Sequence, residues 1–441
     1  MIPSQRAFLL LGLGMAIAAL VATLFNLQLS LIVTALFDFV LLSLVFFDGF
    51  WVRFHRAEIS RYPLGKLSIA RDNSVTFSVK SPDTTARILI RDTYPNSFKT
   101  SAAELQTTLS PNSSQELTYT VYPENRGEFE FGDIHVRQLG RWGLAWHQWR
   151  VAQPQTVKVY PDLVGLRSLS IRLALQSTGN LRSSRRFSMG TEFAELREYA
   201  LGDDPRLIDW KATARRASTS WHNPLQVRVL EPEREQTLII LLDRGRLMTA
   251  RVQGLQRFDW GLNAALGLAL AGLNRGDRVG VGVFDREVVA WTGPERGQHQ
   301  FSRILERLTP IQPVLLEPDY MGAVAKLVKQ QTRRALVVLI TDIVDVTASA
   351  ELLAAMQRLT PRYLPFCVTL RDFGVDAIAN TPTLDIPQTY DRAVALDLLA
   401  QRQVAFAQLR QKGVLVLDAP AETLSNQLVD RYLQLKARNQ L

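Results

Sequence analysis

Two long apolar stretches lie near the N-terminus, and the spacing of polar residues changes after them. Residues 7–25 carry no charged side chain, and residues 29–47 carry one, Asp38. The three residues between the stretches are uncharged. At about 1.5 Å of rise per residue, each stretch is long enough as a helix to cross the hydrocarbon core of a bilayer. The pattern predicts a transmembrane helical hairpin within residues 1–56.

Basic residues flank this hairpin and predict its orientation. Arg6 precedes the first stretch, and Arg53, Arg56 and Arg61 follow the second. The positive-inside rule then places both ends in the cytoplasm, so we expect a two-helix protein of the inner membrane with cytoplasmic soluble domains. Asp38 costs about 2.5–3.5 kcal/mol in the membrane on the insertion scale. The alternatives are that Asp38 faces the partner helix of the hairpin, that it stays protonated, or that it faces a second copy of the chain, which would give a homo-oligomer through the hairpin.

Short strand-like runs follow in residues 57–164. They are rich in β-branched and aromatic residues and are separated by Gly, Pro, Asn and Asp, which is typical of antiparallel strands. The runs are Ser74–Val79, Ala86–Ile90, Glu116–Val121, Glu128–Phe131 and Thr156–Tyr160. This region is predicted to be an antiparallel β-sandwich. Trp142, Trp146 and Trp149 near its end are expected to pack in the core or between domains, with a ligand platform as the alternative.

Apolar runs of strand length alternate with helical stretches in residues 236–441. Such alternation predicts an α/β doubly wound, mostly parallel sheet, with Val288–Trp291 as an antiparallel edge strand. Asp243 and Asp342 stand at the carboxyl ends of two strands, and Asp285 ends a third. Ligands of such sheets bind at that edge. Cys367 lies in an apolar run and is expected to be a buried structural thiol.

The segment between these regions, residues 165–235, combines a linker with a dense charged stretch. Leu166–Arg186 is predicted to be an irregular linker. Phe193, Leu196 and Tyr199 recur every three residues, which favours one face of a short helix ended by Gly202. Asp204 can cap a second helix, with Pro205 in its first turn and Trp210 on its apolar side.

That charged stretch is similar to the signature of a bacterial protein family. The matching motifs are Leu196-Arg197-Glu198-Tyr199, Gly202-Asp203-Asp204-Pro205-Arg206, Ile208-Asp209-Trp210-Lys211 and Thr213-Ala214-Arg215. They resemble domain-of-unknown-function family number fifty-eight, whose members carry a von Willebrand A-like domain and are typically encoded beside MoxR-type AAA+ ATPases. The resemblance implies a von Willebrand A-like fold and a MoxR-type ATPase as partner. The signature residues predicted to form a structural polar network are Arg197, Glu198, Tyr199, Gly202, Asp203, Asp204, Arg206, Asp209, Trp210, Lys211 and Arg215.

The metal site of von Willebrand A-like domains begins with Asp-x-Ser-x-Ser, and this chain departs from it. Asp243 is followed by Arg244, Gly245, Arg246 and Leu247, so both serines are missing. The loop threonine is also absent, with Pro318 near its place, although Asp342 keeps the last acidic position. Mg²⁺ requires near-octahedral oxygen coordination. The departures favour a degenerate, metal-free site in which Arg244 and Arg246 pair with Asp243 or Asp342.

The remaining features favour a binding role over catalysis. The net charge of +9 suits an anionic partner such as a lipid surface. The sequence contains no phosphate-binding loop and no nucleophile elbow, and aromatic and basic residues do not alternate as on a nucleic-acid platform. We expect a membrane-anchored adaptor or assembly scaffold, not an enzyme. Its docking face is predicted at Asp243, Arg244, Arg246, Asp285 and Asp342. The alternatives are a stand-alone structural cell-envelope protein and a carboxylate-dependent hydrolase using Asp203, Asp204 and Asp209.

Overall fold

The computed structural model describes residues 1–24, 27–180, 192–200, 203–217, 225–231, 236–347, 349–382, 385–438 and 440. Contacts divide the chain into two compact units, Met1–Leu163 and Val164–Leu441. Gly202 and the linker arginines at 182, 185 and 186 lie outside the described residues.

Unit 1 begins with two long apolar helices, α1 (Gln5–Leu24) and α2 (Leu27–Val52). Both are long and apolar enough to cross a membrane. Only 11% of the most apolar stretch of each helix is buried, so they are not core helices of a soluble domain. The two helices pack on each other, and Ser30 Oγ donates to the Ala18 carbonyl at 2.7 Å. A side-chain carbon at Gly14 would lie 2.5 Å from the Phe37 ring, so a small residue is needed at this crossing. The described N-terminal part is therefore a membrane-associated helical pair.

The rest of unit 1 consists of β-strands in three sheets. Alternate side chains along the longer strands are buried, as expected for strands with one face on a core. The five-stranded sheet has the order β1-β11-β10-β5-β7, the four-stranded sheet β2-β4-β8-β6, and the three-stranded sheet β3-β12-β9. Their bounds are β1 Ile2–Pro3, β2 Glu58–Arg61, β3 Leu67–Ser68, β4 Asn73–Lys80, β5 Ala86–Asp92, β6 Phe98–Thr100, β7 Leu105–Leu109, β8 Ser114–Pro123, β9 Gly127–Phe131, β10 Ile134–Leu139, β11 Ala145–Val151 and β12 Gln155–Tyr160.

A buried polar contact joins the two larger sheets of unit 1. The Asp92 carboxylate on β5 accepts from Arg61 Nη1 on β2 at 2.7 Å and from the Tyr119 hydroxyl on β8 at 2.6 Å. Burial, and then the charge of Asp92, raise the pKa of Tyr119 well above its ordinary value, so this phenol stays a donor. Because these hydrogen bonds are directional, the contact fixes the position of the two sheets relative to each other.

The turn between β10 and β11 holds both apolar helices at their ends. Asp48 near the end of α2 is 1% exposed and accepts the backbone N–H groups of Trp142, Leu144 and Ala145 at 2.9, 2.8 and 3.1 Å. Just before α1, Ser4 Oγ donates to the Gly143 carbonyl at 2.6 Å. We call residues 140–144 the clamp turn. It fixes the helical pair to the five-stranded sheet.

Trp142 in the clamp turn does not pack as expected, since its side chain is 54% exposed. Its backbone, not its ring, makes the contact with Asp48. Trp149 is partly buried and has the Arg56 guanidinium 5.6 Å from its ring centre.

Helix α3 (Leu163–Asn180) starts at the boundary of the two units and continues into unit 2, where the sequence predicts an irregular linker. That prediction is wrong for the described part of the segment, because Leu166, Leu169 and Leu173 share one face and are buried. Next come β13 (Glu192–Glu198), a 3₁₀ turn Pro205–Leu207, α4 (Trp210–Ala217) and β14 (Gln226–Glu231).

A six-stranded sheet forms the centre of unit 2. The strands are β15 Thr237–Asp243, β18 Arg278–Phe284, β19 Val288–Glu295, β20 Leu336–Thr341, β21 Leu364–Arg371 and β22 Leu415–Pro420, with a small hairpin of β16 Arg251–Val252 and β17 Leu255–Gln256 beside it. Their order is β19-β18-β15-β20-β21-β22, and all pair in parallel except the edge strand β19. The described helices are α5 Arg257–Asn274, α6 Gln298–Leu308, α7 Tyr320–Gln330, α8 Ala350–Leu359, α9 Phe373–Asn380, α10 Ile386–Gln411 and α11 Ala421–Ala437.

Alternate residues of the central strand β15 contact two different groups of helices. Leu238 and Leu242 lie against α5, which packs on α11. Ile239 and Leu241 belong to a core cluster with residues of α7, α8 and α10. The predicted alternation of strands and helices and the antiparallel edge strand at Val288–Trp291 agree with these elements. Cys367 is fully buried on β21, and burial raises the pKa of its thiol to about 12.

Candidate functional site

The parallel strands of unit 2 bring four acidic residues to one edge of the sheet. Asp243 ends β15, Asp285 and Asp342 directly follow β18 and β20, and Asp418 lies on β22. The carboxyl ends of parallel strands meet at one edge, which is where ligands of open α/β sheets usually bind. This edge is the candidate functional site.

Asp243 is fully buried and bound by three donors. Its carboxylate accepts from Gly245 N and the Thr341 hydroxyl at 2.7 Å each, and from the Tyr320 hydroxyl at 3.0 Å. Burial raises the pKa of Asp243, and these hydrogen bonds oppose the rise only in part. The oxygens of Asp243 therefore serve the fold and are not free for a ligand.

Asp342 lies between two arginines. Arg257 Nη1 donates to one carboxylate oxygen, and Arg402 Nη1 donates to the other at 2.8 Å. Arg402 also reaches Asp418 Oδ1 at 2.8 Å, and Arg257 lies 3.5 Å from Asp372. We call Arg257, Asp342, Arg402 and Asp418 the strand-end network.

Arg402 is the central member of the strand-end network. Its side chain is 9% exposed, and it donates to the carbonyls of Ile343 and Leu370 at 2.8 Å in addition to the two carboxylates. Burial alone would lower the pKa of Arg402, but the charges of Asp342 and Asp418 outweigh it and raise the pKa. The guanidinium thus remains charged and neutralises the carboxylates of Asp342 and Asp418.

The arginines of the Asp243 loop pair differently from what the sequence suggested. Arg244 donates to Asp285 Oδ2 from Nε at 2.8 Å and from Nη2 at 2.6 Å, and Arg246 donates to Glu317 at 2.7 Å. The expectation that they neutralise Asp243 or Asp342 is wrong, because Arg257 and Arg402 already pair with Asp342. Burial would raise the pKa of Asp285, but hydrogen bonds from Glu287 N and Arg244 outweigh it and the pKa is lowered.

The site does not fit a Mg²⁺ ion. The oxygens of Asp243 and Asp342 are engaged by protein donors, and among the described residues no group of three or more metal-binding side chains occurs. A side-chain carbon on Gly245 would lie 2.9 Å from the Pro318 ring, so a serine would clash at this position. Cationic guanidinium groups, together with missing hydroxyl ligands, make the edge unsuitable for a divalent cation.

The predicted docking residues lie at different depths. Asp243, Asp285 and Asp342 are at most 4% exposed, and the Arg244 side chain is 19% exposed. Arg246 is exposed, with 58% of its side chain accessible. Of these residues, Arg246 is therefore the one placed to touch a partner directly.

The signature segment forms a hairpin and a capped helix. Phe193, Leu196 and Tyr199 do not form a helix: β13 pairs antiparallel with β14, with a shift in register between Phe193 and Glu195. Residue spacing of three also fits an irregular strand, and pairing with β14 decides the conformation. Trp210, expected in the core, is 67% exposed at the start of α4.

The signature carboxylates act as caps and ion-pair partners. Asp204 accepts from Arg206 N at 2.9 Å, which confirms it as a cap, though of a short 3₁₀ turn. The helix expected to begin at Pro205 is divided into this turn and α4, which begins after Asp209. Asp209 accepts from Lys211 N and Ala212 N at 3.0 Å each.

Two ion pairs complete this segment. Asp209 is bound by Arg228 at 2.8 Å, and Asp203 by Arg197 and by Ala200 N. The Arg228 hydrogen bond lowers the pKa of Asp209, and the Ala200 N–H and then Arg197 lower the pKa of Asp203. Arg216, which directly follows the signature, donates to Gln226 at 3.0 Å and lies 3.9 Å from the signature residue Glu198. The lowered pKa values keep Asp203 and Asp209 ionised at neutral pH.

Sequence reasoning missed three members of the strand-end network. Arg257 begins α5, Arg402 lies inside α10, and Asp418 lies on β22. They are far from Asp342 along the chain and belong to no motif. The sequence contained one clue to these partners. Asp243 and Asp342 end apolar strands without the hydroxyl ligands of a metal site, and buried carboxylates without a metal need cationic partners from elsewhere in the chain.

Comparison with known proteins locates the family resemblance. Residues 195–373 match the model of the family described as protein of unknown function DUF58. The resemblance read from the signature motifs is thus confirmed. The DUF58 match includes Asp243, Arg257 and Asp342, and ends before Arg402 and Asp418.

The curated relatives that match are themselves uncharacterised. A protein of Mycobacterium tuberculosis (strain ATCC 25618 / H37Rv) and one of Mycobacterium bovis are each 29% identical over 157 residues. The match covers 35% of this chain and 47% of each relative, so the chain spans about half the length of the curated relatives it matches.

Solved structures give weaker likenesses. The conserved hypothetical protein BatB from Bacteroides thetaiotaomicron is 13% identical, with 46% of this chain and 99% of that chain covered and a TM-score of 0.30. An aerotolerance-related membrane protein from Bacteroides fragilis is 14% identical, with 44% and 99% covered and a TM-score of 0.29. At these scores neither likeness bears on the function of this chain.

Proposed function

We propose that this protein is a membrane-anchored, non-catalytic adaptor or assembly scaffold that docks a partner protein on the strand-end edge of unit 2. The partner expected from the family resemblance is a MoxR-type AAA+ ATPase. In this proposal the helical pair spans the inner membrane, the antiparallel β-sandwich is a cytoplasmic spacer, and a von Willebrand A-like doubly wound domain carries the docking face.

The observation that carries the proposal is the closure of the strand-end edge by its own ion pairs. Where related architectures hold a ligand, the oxygens of Asp243 accept from hydroxyl and backbone donors and those of Asp342 from two arginines. A small ligand or metal would have to displace these buried contacts. A partner protein does not, since it can use the surface that surrounds them.

Exposed apolar side chains border this edge. Leu315 is 77% exposed, next to Leu316, whose carbonyl accepts from Arg246 N at 2.8 Å. Phe373 is 63% exposed and follows Asp372, which lies 3.5 Å from Arg257.

Two further apolar side chains lie at the start of α10. Ile386 is 85% exposed and Tyr390 is 72% exposed, but Ile386 lies about 24 Å along α10 from Arg402 and the strand-end network. Exposed apolar residues mark protein interaction sites, and aromatic residues are enriched in interface cores. Leu315 and Phe373 lie next to residues that contact Arg246 and Arg257, and we call these two residues the apolar rim and propose it as the contact surface.

The hydrolase alternative lacks support from the signature carboxylates. A general acid at neutral pH needs a raised pKa. Asp203 and Asp209 instead have lowered pKa values and are bound by Arg197 and Arg228. Their contacts are those of a structural network.

The test is a pull-down of the full-length protein in mild detergent, with mass spectrometry, under ATP, ADP and nucleotide-free conditions. We expect an AAA+ ATPase to be retained by wild type and lost when Leu315→Glu and Phe373→Glu are combined. Ile171→Glu combined with Leu175→Glu is the matched control, because both residues are exposed on α3 and the neighbouring Leu169 lies against Gly267, about 15 Å along α5 from Arg257. Retention of the ATPase by the rim variant would exclude this docking face. No ATPase in any nucleotide state would favour a stand-alone structural envelope protein.

A further inference from the structure

A cavity of about 330 Å³ in unit 1 lies beside the first turn of α1. It is bounded by the N-terminal segment, β5, β10 and the clamp turn. Its wall combines guanidinium groups with apolar side chains. The residues that matter here are Arg6, Arg87, Arg137, Ile2, Leu139 and Trp146.

The positive charge of this cavity is not neutralised by the residues that the structure describes. No acidic residue lines it, and none of its three arginines forms an ion pair within the described ranges. Arg137 Nε donates to the Gln148 amide oxygen at 3.3 Å, and Arg87 faces the side-chain amide of Gln106. Neutral amides orient these guanidinium groups and leave their charge available to an anion.

Arg137 is shared with a neighbouring cavity that contains Glu104 and Asp92 in its wall. Asp92 is already paired with Arg61, but Glu104 can compete for Arg137. Arg6 and Arg87 line this cavity and not the neighbouring one, so they are the residues to test.

The position of the cavity along the helices places it at the membrane surface. Arg6 directly precedes Ala7, where the first apolar stretch begins. The clamp turn, which contributes Gly143 to the wall, is also bonded to Asp48 near the end of α2. Both helices thus leave the apolar layer at this level. Trp142 in the same turn is 54% exposed, as is typical of the aromatic belt at a bilayer interface.

We propose that this cavity binds the phosphate headgroup of an anionic membrane phospholipid. Guanidinium groups bind phosphate oxygens through paired N–H donors, and two such groups meet here at headgroup depth. The apolar side chains Ile2, Leu139 and Trp146 would contact the glycerol backbone and the start of the acyl chains. The inference uses the membrane anchoring but not the partner protein, so its failure and a failed ATPase pull-down are separate results.

The experiment uses the full-length protein in nanodiscs of phosphatidylcholine containing a minor fraction of phosphatidylglycerol. Native mass spectrometry after release into detergent counts the phosphatidylglycerol molecules that remain bound. The double variant Arg6→Gln/Arg87→Gln is compared with Arg150→Gln/Arg303→Gln, which removes the same net charge from exposed arginines paired with Asp133 and Glu295. Because a double variant can fold poorly, Arg87→Gln alone is measured as well, and the melting temperature of each variant is recorded.

We expect wild type and the control to retain phosphatidylglycerol in preference to phosphatidylcholine, and the cavity variant to bind it about tenfold more weakly. Arg87→Gln should give an intermediate loss at an unchanged melting temperature. Equal retention by the cavity variant and the control would overturn the proposal. Displacement of the lipid by equimolar inorganic phosphate or glycerol phosphate would also overturn it, since it would indicate a site for soluble phosphates.

Discussion

Removal of the Arg402 guanidinium is the sharpest test of the strand-end network. The substitution Arg402→Met keeps an unbranched apolar stem and deletes four hydrogen bonds of 2.8 Å, two of them to Asp342 and Asp418. Asp342 keeps Arg257, and Asp418 keeps the Thr369 hydroxyl at 2.9 Å. Breaking a buried ion pair by removing one partner costs about 3–5 kcal/mol, because the remaining charges lose their compensation.

This cost translates into a large thermal shift. Unit 2, Val164–Leu441, has about 280 residues. For a unit of this size 1 kcal/mol corresponds to about 1.7 °C in melting temperature, so we expect unit 2 to melt about 5–9 °C lower. The chain has two units and its unfolding is not two-state. Thermal unfolding in detergent should therefore be combined with hydrogen exchange and mass spectrometry, in which peptides of β20, β21 and β22 lose protection while peptides of β4 and β8 in unit 1 do not.

A second substitution distinguishes lost charge compensation from lost packing. Asp418→Asn in the Arg402→Met background removes one of the uncompensated charges and should restore part of the stability, whereas Asp418→Asn in wild type should destabilise. If Arg402→Met melts within error of wild type, or if the two substitutions are simply additive, the ion-pair account of this edge is refuted.

Three further outcomes follow from the structure. Because the oxygens of the strand-end network are engaged, added Mg²⁺ or EDTA should leave the wild-type melting temperature unchanged, and a clear shift would show a metal site. The pKa of Asp285 is lowered, so its pair with Arg244 stabilises the fold above the ordinary aspartate pKa of about 3.9 and loses this contribution as the pH falls through the lower folded value. The difference in melting temperature between wild type and Asp285→Asn should thus be full at pH 6 and shrink on acidification below pH 4; a constant difference would contradict it. Asp209→Ala should lower the melting temperature more than Asp209→Asn, which keeps a capping oxygen; equal stability of Asp209→Ala and wild type would favour a surface or catalytic role.

Local sequence patterns identified the strands that are buried along nearly their whole length. The runs that form β15 and β20 are apolar at nearly every position, and such runs become central strands because both faces are covered. The conformation of the signature strand could not be predicted because spacing alone does not distinguish an irregular strand from a short helix. Its partner β14 is also distant, since the paired residues of β13 and β14 lie 28 to 39 positions apart.

The site could be predicted only in part, because its residues lie far apart in the sequence. Asp243 and Asp342 are visible at strand ends, and the loss of the serine ligands is visible beside Asp243. Their partners are not: Arg402 is 60 residues from Asp342 and lies on a helix with no motif around it. Charge compensation in a buried site is a property of the assembled fold, and a single sequence shows the charges but not their pairing.

The clamp turn makes the five-stranded sheet depend on a residue far away in the chain. Asp48 precedes the three N–H groups that it accepts by 94 to 97 residues. Because no neighbouring strand among the described residues supplies an acceptor to these groups, loss of the Asp48 carboxylate would leave three donors at the end of the β10–β11 hairpin without a partner. The helical pair is thus part of the hydrogen bonding of the sheet and not an appendage to it.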